Sequence, residues 1–96
     1  MNLGVIGLGV IGKAVVRAAD EGRVPFLVSA VATRTPSNAE EFLASLRNRP
    51  PMRNLPEVAE VSDIVLEASG GPSVEAICSE SLSRGKDVII NSVGAL

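Results

Sequence analysis

Three glycines carry chemistry most openly in this sequence. Gly7, Gly9 and Gly12 follow the apolar run Leu3-Gly4-Val5-Ile6 in the pattern Gly-x-Gly-x-x-Gly. A strand-length run, a glycine turn and then an apolar-periodic helix is the context in which that pattern points to a bound pyrophosphate. Gly7 lets the chain leave the strand in a tight turn. Gly9 has no Cβ to hold a phosphate off the backbone, and Gly12 lets the helix press against the strand. The N–H groups at the start of that helix, at Val10, Ile11 and Gly12, have no partners within it and share its positive dipole end. An anion suits them. A glycine-rich turn can also be only a turn. The strand before it and the Ile11, Ala14, Val15, Ala18 stripe after it favour the dinucleotide.

Next in importance is the pair Thr33-Arg34. In such a fold the end of the second strand, about 20 residues beyond the glycines, usually holds a carboxylate that binds the adenosine ribose. A carboxylate would repel a 2′-phosphate, whereas a hydroxyl beside a guanidinium binds one through charge-assisted bonds. The expected cofactor is therefore NADP in preference to NAD. The bland alternative is a solvated loop arginine after a strand end. Other residues promise less. Glu67 could touch a ribose or a substrate, or simply be solvated. Cys78 reads as a small buried hydrophobe on a helix face, and Lys13 as a solvent residue. The sequence contains no metal-ligand cluster, catalytic triad or carboxylate pair, and no histidine.

Positioning these residues requires alternating strands and helices. The first helix ends at Asp20-Glu21-Gly22-Arg23, with Gly22 as its C′ glycine. Phe26 to Ala32 reads as the second strand, and Thr35 with Pro36 as the start of the second helix. Ala39, Phe42, Leu43 and Leu46 form the stripe of that helix. Pro50-Pro51 ends any continuation, and Leu55 to Val61 reads as a short helical turn started by Pro56. Ile64 to Leu66 is the third strand, stopped by Ser69-Gly70-Gly71-Pro72. A helix begun at Pro72 or Ser73 places Val74, Ile77, Cys78, Ser81 and Leu82 on one face, and Arg84-Gly85 closes it. Val88 to Ile90 is the fourth strand. The alternation implies right-handed crossovers and a parallel sheet. The fold class expected is α/β, the first half of a Rossmann-type doubly wound sheet with strand order 3-2-1-4 and three α/β/α layers. The glycine turn, Thr33-Arg34, Ser69 to Pro72 and Asn91 to Ala95 then share one rim.

The 96 residues make one domain, 1–96, and 46% of them are hydrophobic, enough for a core of Val, Ile, Leu and Ala with only Phe26 and Phe42 as aromatics. A net charge of −2 argues against nucleic acid as a partner. No apolar run nears the roughly 20 residues that span a membrane. Met1 leads directly into the first strand, so no signal peptide is expected, and the single cysteine fits a reducing cytoplasm.

From the third strand on, the sequence resembles a known family. Ser62-Asp63-Ile64-Val65-Leu66-Glu67-Ala68-Ser69 and Gly85-Lys86-Asp87-Val88-Ile89-Ile90-Asn91-Ser92-Val93-Gly94-Ala95-Leu96 are similar to the amino-terminal domain of L-aspartate dehydrogenases. A weaker resemblance is to the cofactor domain of homoserine dehydrogenases. The resemblance covers nearly the whole chain. It implies an oxidoreductase that converts L-aspartate to iminoaspartate with NAD or NADP, feeding nicotinamide biosynthesis. It also implies that Ser69 and Gly70 lie along the cofactor, and that Ser92, Val93 and Ala95 lie near the nicotinamide. Thr33 departs from the aspartate frequent at its place in the family. Family members are much longer than this chain and carry the substrate pocket and a catalytic histidine in a further α+β domain. That substrate domain is expected to be absent here, so no catalytic residue is assigned. The alternatives are a free-standing NADP(H)-binding module without turnover, and an interaction domain that has lost its ligand. The intact glycines speak against the second. The open edge at Val88 to Ile90 predicts a homo-oligomer.

Overall fold

The computed structural model describes residues 1–92. Its elements are β1 (Asn2–Ile6), α1 (Val10–Asp20), β2 (Leu27–Ala32), α2 (Pro36–Ala44), α3 (Leu55–Glu60), β3 (Ile64–Glu67), α4 (Val74–Leu82) and β4 (Asp87–Ile90). The four strands form one parallel sheet in the order β2-β1-β3-β4. The alternating pattern of strands and helices holds, and the order 3-2-1-4 does not. β3 lies beside β1 instead of outside β2, and β4 pairs with β3 instead of β1.

The reason is a strand reduced to one residue. Met52 forms an isolated parallel bridge with Val31 on the outer edge of β2. The Val31 N–H donates to the Pro51 carbonyl at 3.0 Å, and the Arg53 N–H donates to the Val31 carbonyl at 2.8 Å. Pro50 and Pro51 bring no N–H groups to extend that ladder. Two residues after Met52 the chain is already committed to a helix. Asn54 caps α3 by accepting the Glu57 N–H at 3.0 Å while the Glu57 carboxylate accepts the Asn54 N–H at 3.3 Å, a capping box. Met52 thus fills the sheet position expected of the third strand. α3 then carries the chain across the opposite face, and Ile64–Glu67 pairs with the free edge of β1.

The sheet is covered on both faces. Leu3, Val5, Val31 and Leu66 pack with Val16 of α1 and with Ala39, Leu43 and Leu46. On the other face Ile6, Ala30, Ala32 and Val65 pack with Val58 and Ala59 of α3 and Ile77 of α4. This is the expected α/β/α layering. A Cβ on Gly4 would collide with the Ser62 hydroxyl and with Val58 Cγ1, so its bare backbone is what lets α3 close on β1. The β1–β2 register shifts between Leu3 and Gly4. Ser29 lies at the irregularity, and its hydroxyl meets that of buried Ser62 at 2.8 Å.

Two helix faces differ from expectation. In α1 the buried residues are Gly12 and Val16, while Ile11 is 46% exposed, Ala14 is exposed, and Val15 and Ala18 are half-buried. The closest approach of this helix is set by the residue without a side chain, so its buried face centres on Gly12 and its i+4 neighbour rather than on the most apolar stripe. In α4 Val74, Ile77 and Ser81 are buried, Cys78 is half-buried and Leu82 is exposed. Lys13 and Arg17 are both half-buried and stand over the Phe42 ring, at 5.7 and 5.2 Å from its centroid. Lys13 is therefore a packing residue as well as a cation. Gly22 (φ 75°) closes α1 as expected, with the Arg23 N–H on the Ala18 carbonyl at 2.9 Å.

Candidate functional site

The sheet topology itself creates a crevice. From β1 the chain departs through α1 on one face, and from the adjacent β3 it departs through α4 on the other. Loops leaving two neighbouring strands in opposite directions part at their carboxyl ends, where ligands of such sheets bind. A cleft of about 770 Å³ opens there, a volume suited to a small-molecule ligand. It is lined by Gly7 to Gly9 after β1, Thr33 to Thr35 after β2 and Ala68 to Gly70 after β3. Leu55, Ser73 and Ile77 line it from the α3–α4 side.

Gly7 is pinned from three directions. Its N–H donates to the Ala32 carbonyl at 2.7 Å, at the end of β2. A Cβ there would strike the Ala68 carbonyl, and its φ of 99° lies where L side chains are rarely found. The carbonyl of Gly7 in turn receives the first turn of α1 so closely that a Cβ on Gly12 would land on it. Gly9 is the opposite case. It is the N-cap of α1, no side chain caps that helix, and nothing lies within 4 Å of where a Cβ would stand. The first helical hydrogen bond runs from the Lys13 N–H to the Gly9 carbonyl at 3.0 Å, so the three N–H groups before it lie outside the helical ladder. An open concavity beside unused N–H groups fits a pyrophosphate. The side chains of Val10 and Ile11 are both exposed beside it, Val10 by 86%.

Arg34 is the one charged residue lining the cleft among the described residues. Its Nη2 donates across the cleft to the Ser69 carbonyl at 3.4 Å. Thr33 Oγ1 accepts the Thr35 N–H at 3.2 Å, which leaves its own hydroxyl proton to donate. Thr35 stands at the N-cap of α2, but its side chain makes no capping bond.

Glu67, the last residue of β3, is buried completely and shut off from solvent. Its Oε2 accepts the Ser69 N–H at 2.8 Å, the Ser69 hydroxyl at 2.7 Å and the Ser92 hydroxyl at 2.8 Å. Its Oε1 accepts the Ser92 N–H at 2.9 Å. Burial pushes its carboxyl up, but the hydrogen bonds from Ser69 and Ser92 outweigh it and hold the group below the ordinary glutamate value. Ser92 lies one strand further out than Ser69 and reaches the site through this carboxylate. Val93 and Ala95 lie outside the described residues.

Residues 7–96 match the family model described as the homoserine dehydrogenase NAD binding domain. The chain belongs to that family. It is 40% identical over 95 residues to an L-aspartate dehydrogenase of Methanocella arvoryzae, covering 99% of this chain and 35% of that protein. An L-aspartate dehydrogenase of Bradyrhizobium diazoefficiens is 34% identical over 96 residues, covering 100% of this chain and 34% of that one. The chain therefore spans about a third of the length of the curated relatives it matches. Among solved structures, it resembles the myo-inositol dehydrogenase of Lactobacillus casei in complex with NAD(H) and myo-inositol. That likeness has a TM-score of 0.81 at 22% identity, over 94% of this chain and 27% of that one. A UDP-N-acetylglucosamine 3-dehydrogenase from Acidithiobacillus ferrooxidans gives a TM-score of 0.74 at 22% identity, over 94% and 28%. These two likenesses establish the Rossmann-type fold.

In this NAD-binding-domain family member, the cleft brings together Gly7, Gly9, Thr33, Arg34, Ser69 and Gly70, with Gly12 buried beneath the turn. Leu55, Ser73 and Ile77 were not foreseen as parts of the site, and Glu67, which could have touched a ribose or a substrate, is buried and does not line the cleft. Ile77 reads as helix core from its spacing and Leu55 as part of a short helical turn, and only the folded chain brings both to the cleft. Among the described residues no group of His, Cys, Asp and Glu could hold a metal ion, and no helix is long and apolar enough to cross a membrane.

Proposed function

We propose that the chain is the dinucleotide-binding part of a dehydrogenase acting on L-aspartate, with NADP preferred to NAD. The observation that carries the cofactor reading is the cleft beside the α1 N-terminus, lined, among the described residues, by Arg34 as its single charged side chain and by no carboxylate. The glycine turn and the N–H groups of Val10, Ile11 and Gly12 would take the pyrophosphate. Arg34 and the Thr33 hydroxyl would take a 2′-phosphate, and Ser69 and Gly70 would lie along the cofactor. When bound, the nicotinamide supplies the hydride acceptor for oxidation of the amino acid to its imine. Activity toward L-aspartate is proposed for the whole protein, on the strength of the L-aspartate dehydrogenase relatives. The chain has no histidine, and substrate binding and catalysis are assigned to a further domain.

The test is a titration of the 96-residue chain with NADPH and NADH, followed by nicotinamide fluorescence. NADPH is expected to bind more tightly. Arg34→Ala removes a charge-assisted contact and should weaken NADPH by about tenfold to a hundredfold, leaving NADH nearly unchanged. Equal losses for both cofactors would overturn the NADP reading.

A further inference from the structure

The pairing of β3 with β4 places Glu67 opposite Ile90. Ser69 and Ser92 each lie two residues beyond that pair, so the two serines occupy equivalent places on adjacent parallel strands. One carboxylate lies between them and takes both backbone N–H groups and both hydroxyls. The main chain adds one more tie, from the Asn91 N–H to the Glu67 carbonyl at 3.0 Å. The Ser69 peptide is also gripped from its far side, because its carbonyl accepts Arg34. A continuous path of polar contacts thus runs from the end of β4, through Glu67 and Ser69, to the arginine across the cleft.

We propose that Glu67 is a positioning residue of the dinucleotide site, holding the Ser69 loop and, through it, Arg34 in the arrangement that binds the cofactor, without touching the cofactor itself. The proposal rests on the dinucleotide reading above. The carboxylate is suited to the role because it is acceptor-only and has room for all four donors. An amide of the same shape cannot replace it. Whichever way a glutamine were turned, one of its ends would present N–H donors to either the Ser69 N–H or the Ser92 N–H. A shorter aspartate would not span the two loops.

The test compares wild type, Glu67→Gln, Ser92→Ala and Ser62→Ala. Ser62 is equally buried but lies at the other end of the sheet, bonded to Val58 and Ser29, so its variant controls for lost stability alone. Each protein is titrated with NADH and NADPH, and the backbone amide resonances of Ser69, Ser92, Val5 and Val65 are followed. Glu67→Gln should weaken both dinucleotides by about tenfold, the loss of roughly one hydrogen bond to a charged group. It should shift the Ser69 and Ser92 amides together and leave those of Val5 and Val65 in place. Ser62→Ala should lower the melting temperature and leave both affinities unchanged. If Glu67→Gln fails to fold, Ser92→Ala decides. It removes one of the four bonds from outside the cleft, and it should still move the Ser69 amide and weaken binding by about threefold. Wild-type affinity in Glu67→Gln, a loss no greater than that of Ser62→Ala, or an unmoved Ser69 amide in Ser92→Ala would overturn the proposal. A wild-type chain that binds neither dinucleotide would instead refute the cofactor reading, and with it a positioning role for Glu67 toward that cofactor.

Discussion

Gly9 and Gly12 are three residues apart in one turn, and the structure predicts opposite failures when each is given a side chain. At Gly12 an added Cβ falls on the Gly7 carbonyl oxygen and within 3.1 Å of its carbon. Both are backbone atoms held by the ends of β2 and β3, so neither can rotate away. Overpacking costs about 1–3 kcal/mol where side chains can adjust, and the upper end applies here. A gain of about 1 kcal/mol in helix propensity offsets part of it. Gly12→Ala should therefore lose about 2 kcal/mol, which lowers the melting temperature of a domain this size by roughly 10–15 °C. At Gly9 nothing stands within 4 Å, and its φ of −84° and ψ of −154° suit any residue. Gly9→Val should shift stability by no more than about 1 kcal/mol, since a poorer N-cap and a less flexible unfolded chain nearly cancel. Its methyl groups fill the concavity beside the free N–H groups. Losing two charge-assisted bonds to phosphate costs about 3–6 kcal/mol, a hundredfold or more in affinity. Thermal melts by circular dichroism and NADPH titration separate the two effects. Normal binding by a folded Gly9→Val, or an unchanged melting temperature in Gly12→Ala, would refute the assignment of the turn.

Two further expectations concern the folded state. Glu67 is held below the ordinary value of 4.5 in the fold, so its contribution to stability is complete above that value and disappears as pH falls through the lower folded value. The melting temperature should fall below about pH 4.5, with Asp20, lowered by the Arg47 and Asn48 N–H groups, adding to the decline; an equally steep acid limb in Glu67→Gln would contradict the role given to Glu67. The outer strand β4 has half-buried Val88 and Ile90 and a 50% exposed Ile89, and an edge of this kind, unpaired among the described residues, favours pairing with a second copy. Sedimentation should show concentration-dependent self-association of the 96-residue chain, and a monomer throughout the micromolar range would refute it.

Much of the fold was legible because strands and helices announce themselves by length and period. The runs at Leu3 to Ile6 and Ile64 to Leu66, and the stripe of α2 at Ala39 and Leu43, needed no partner to be recognised. Facts that depend on what lies opposite were not legible. The buried face of α1 is set by a carbonyl of Gly7, which no hydrophobic pattern reports. Glu67 reads from the sequence as a residue that touches a ribose or a substrate or is simply solvated, since a carboxylate ending an apolar run is ordinarily exposed. Its signal exists, in a serine two residues beyond each of two strand ends. That signal becomes readable only when β3 and β4 are known to be neighbours. Val10 and Ile11 were assigned from the glycine pattern alone, and their exposure beside the turn follows from the tight approach of Gly12 below them.

The strand order matters for the site more than for the core. In the order 3-2-1-4 the neighbour of β1 would be Val88 to Ile90, and the loop at Ser92 would lie against the glycine turn. Met52 prevents this by occupying the outer edge of β2 with a single bridge. The chain must then bring Ile64–Glu67 to β1, and Ala68 to Gly70 take the place beside Gly7. Gly7 has to be glycine partly for that reason, because the Ala68 carbonyl lies where its Cβ would be. Ser92 is displaced by one strand, about 5 Å in a sheet, and no longer borders the cleft. A buried carboxylate at the end of the intervening strand spans that distance, accepting from Ser92 on one side and from the cleft-lining Ser69 on the other. The sequence feature that shortened one strand to a residue and the feature that made Glu67 necessary are thus linked through the topology. A glutamate in that place answers a spacing that the pairing of β3 with β1 created.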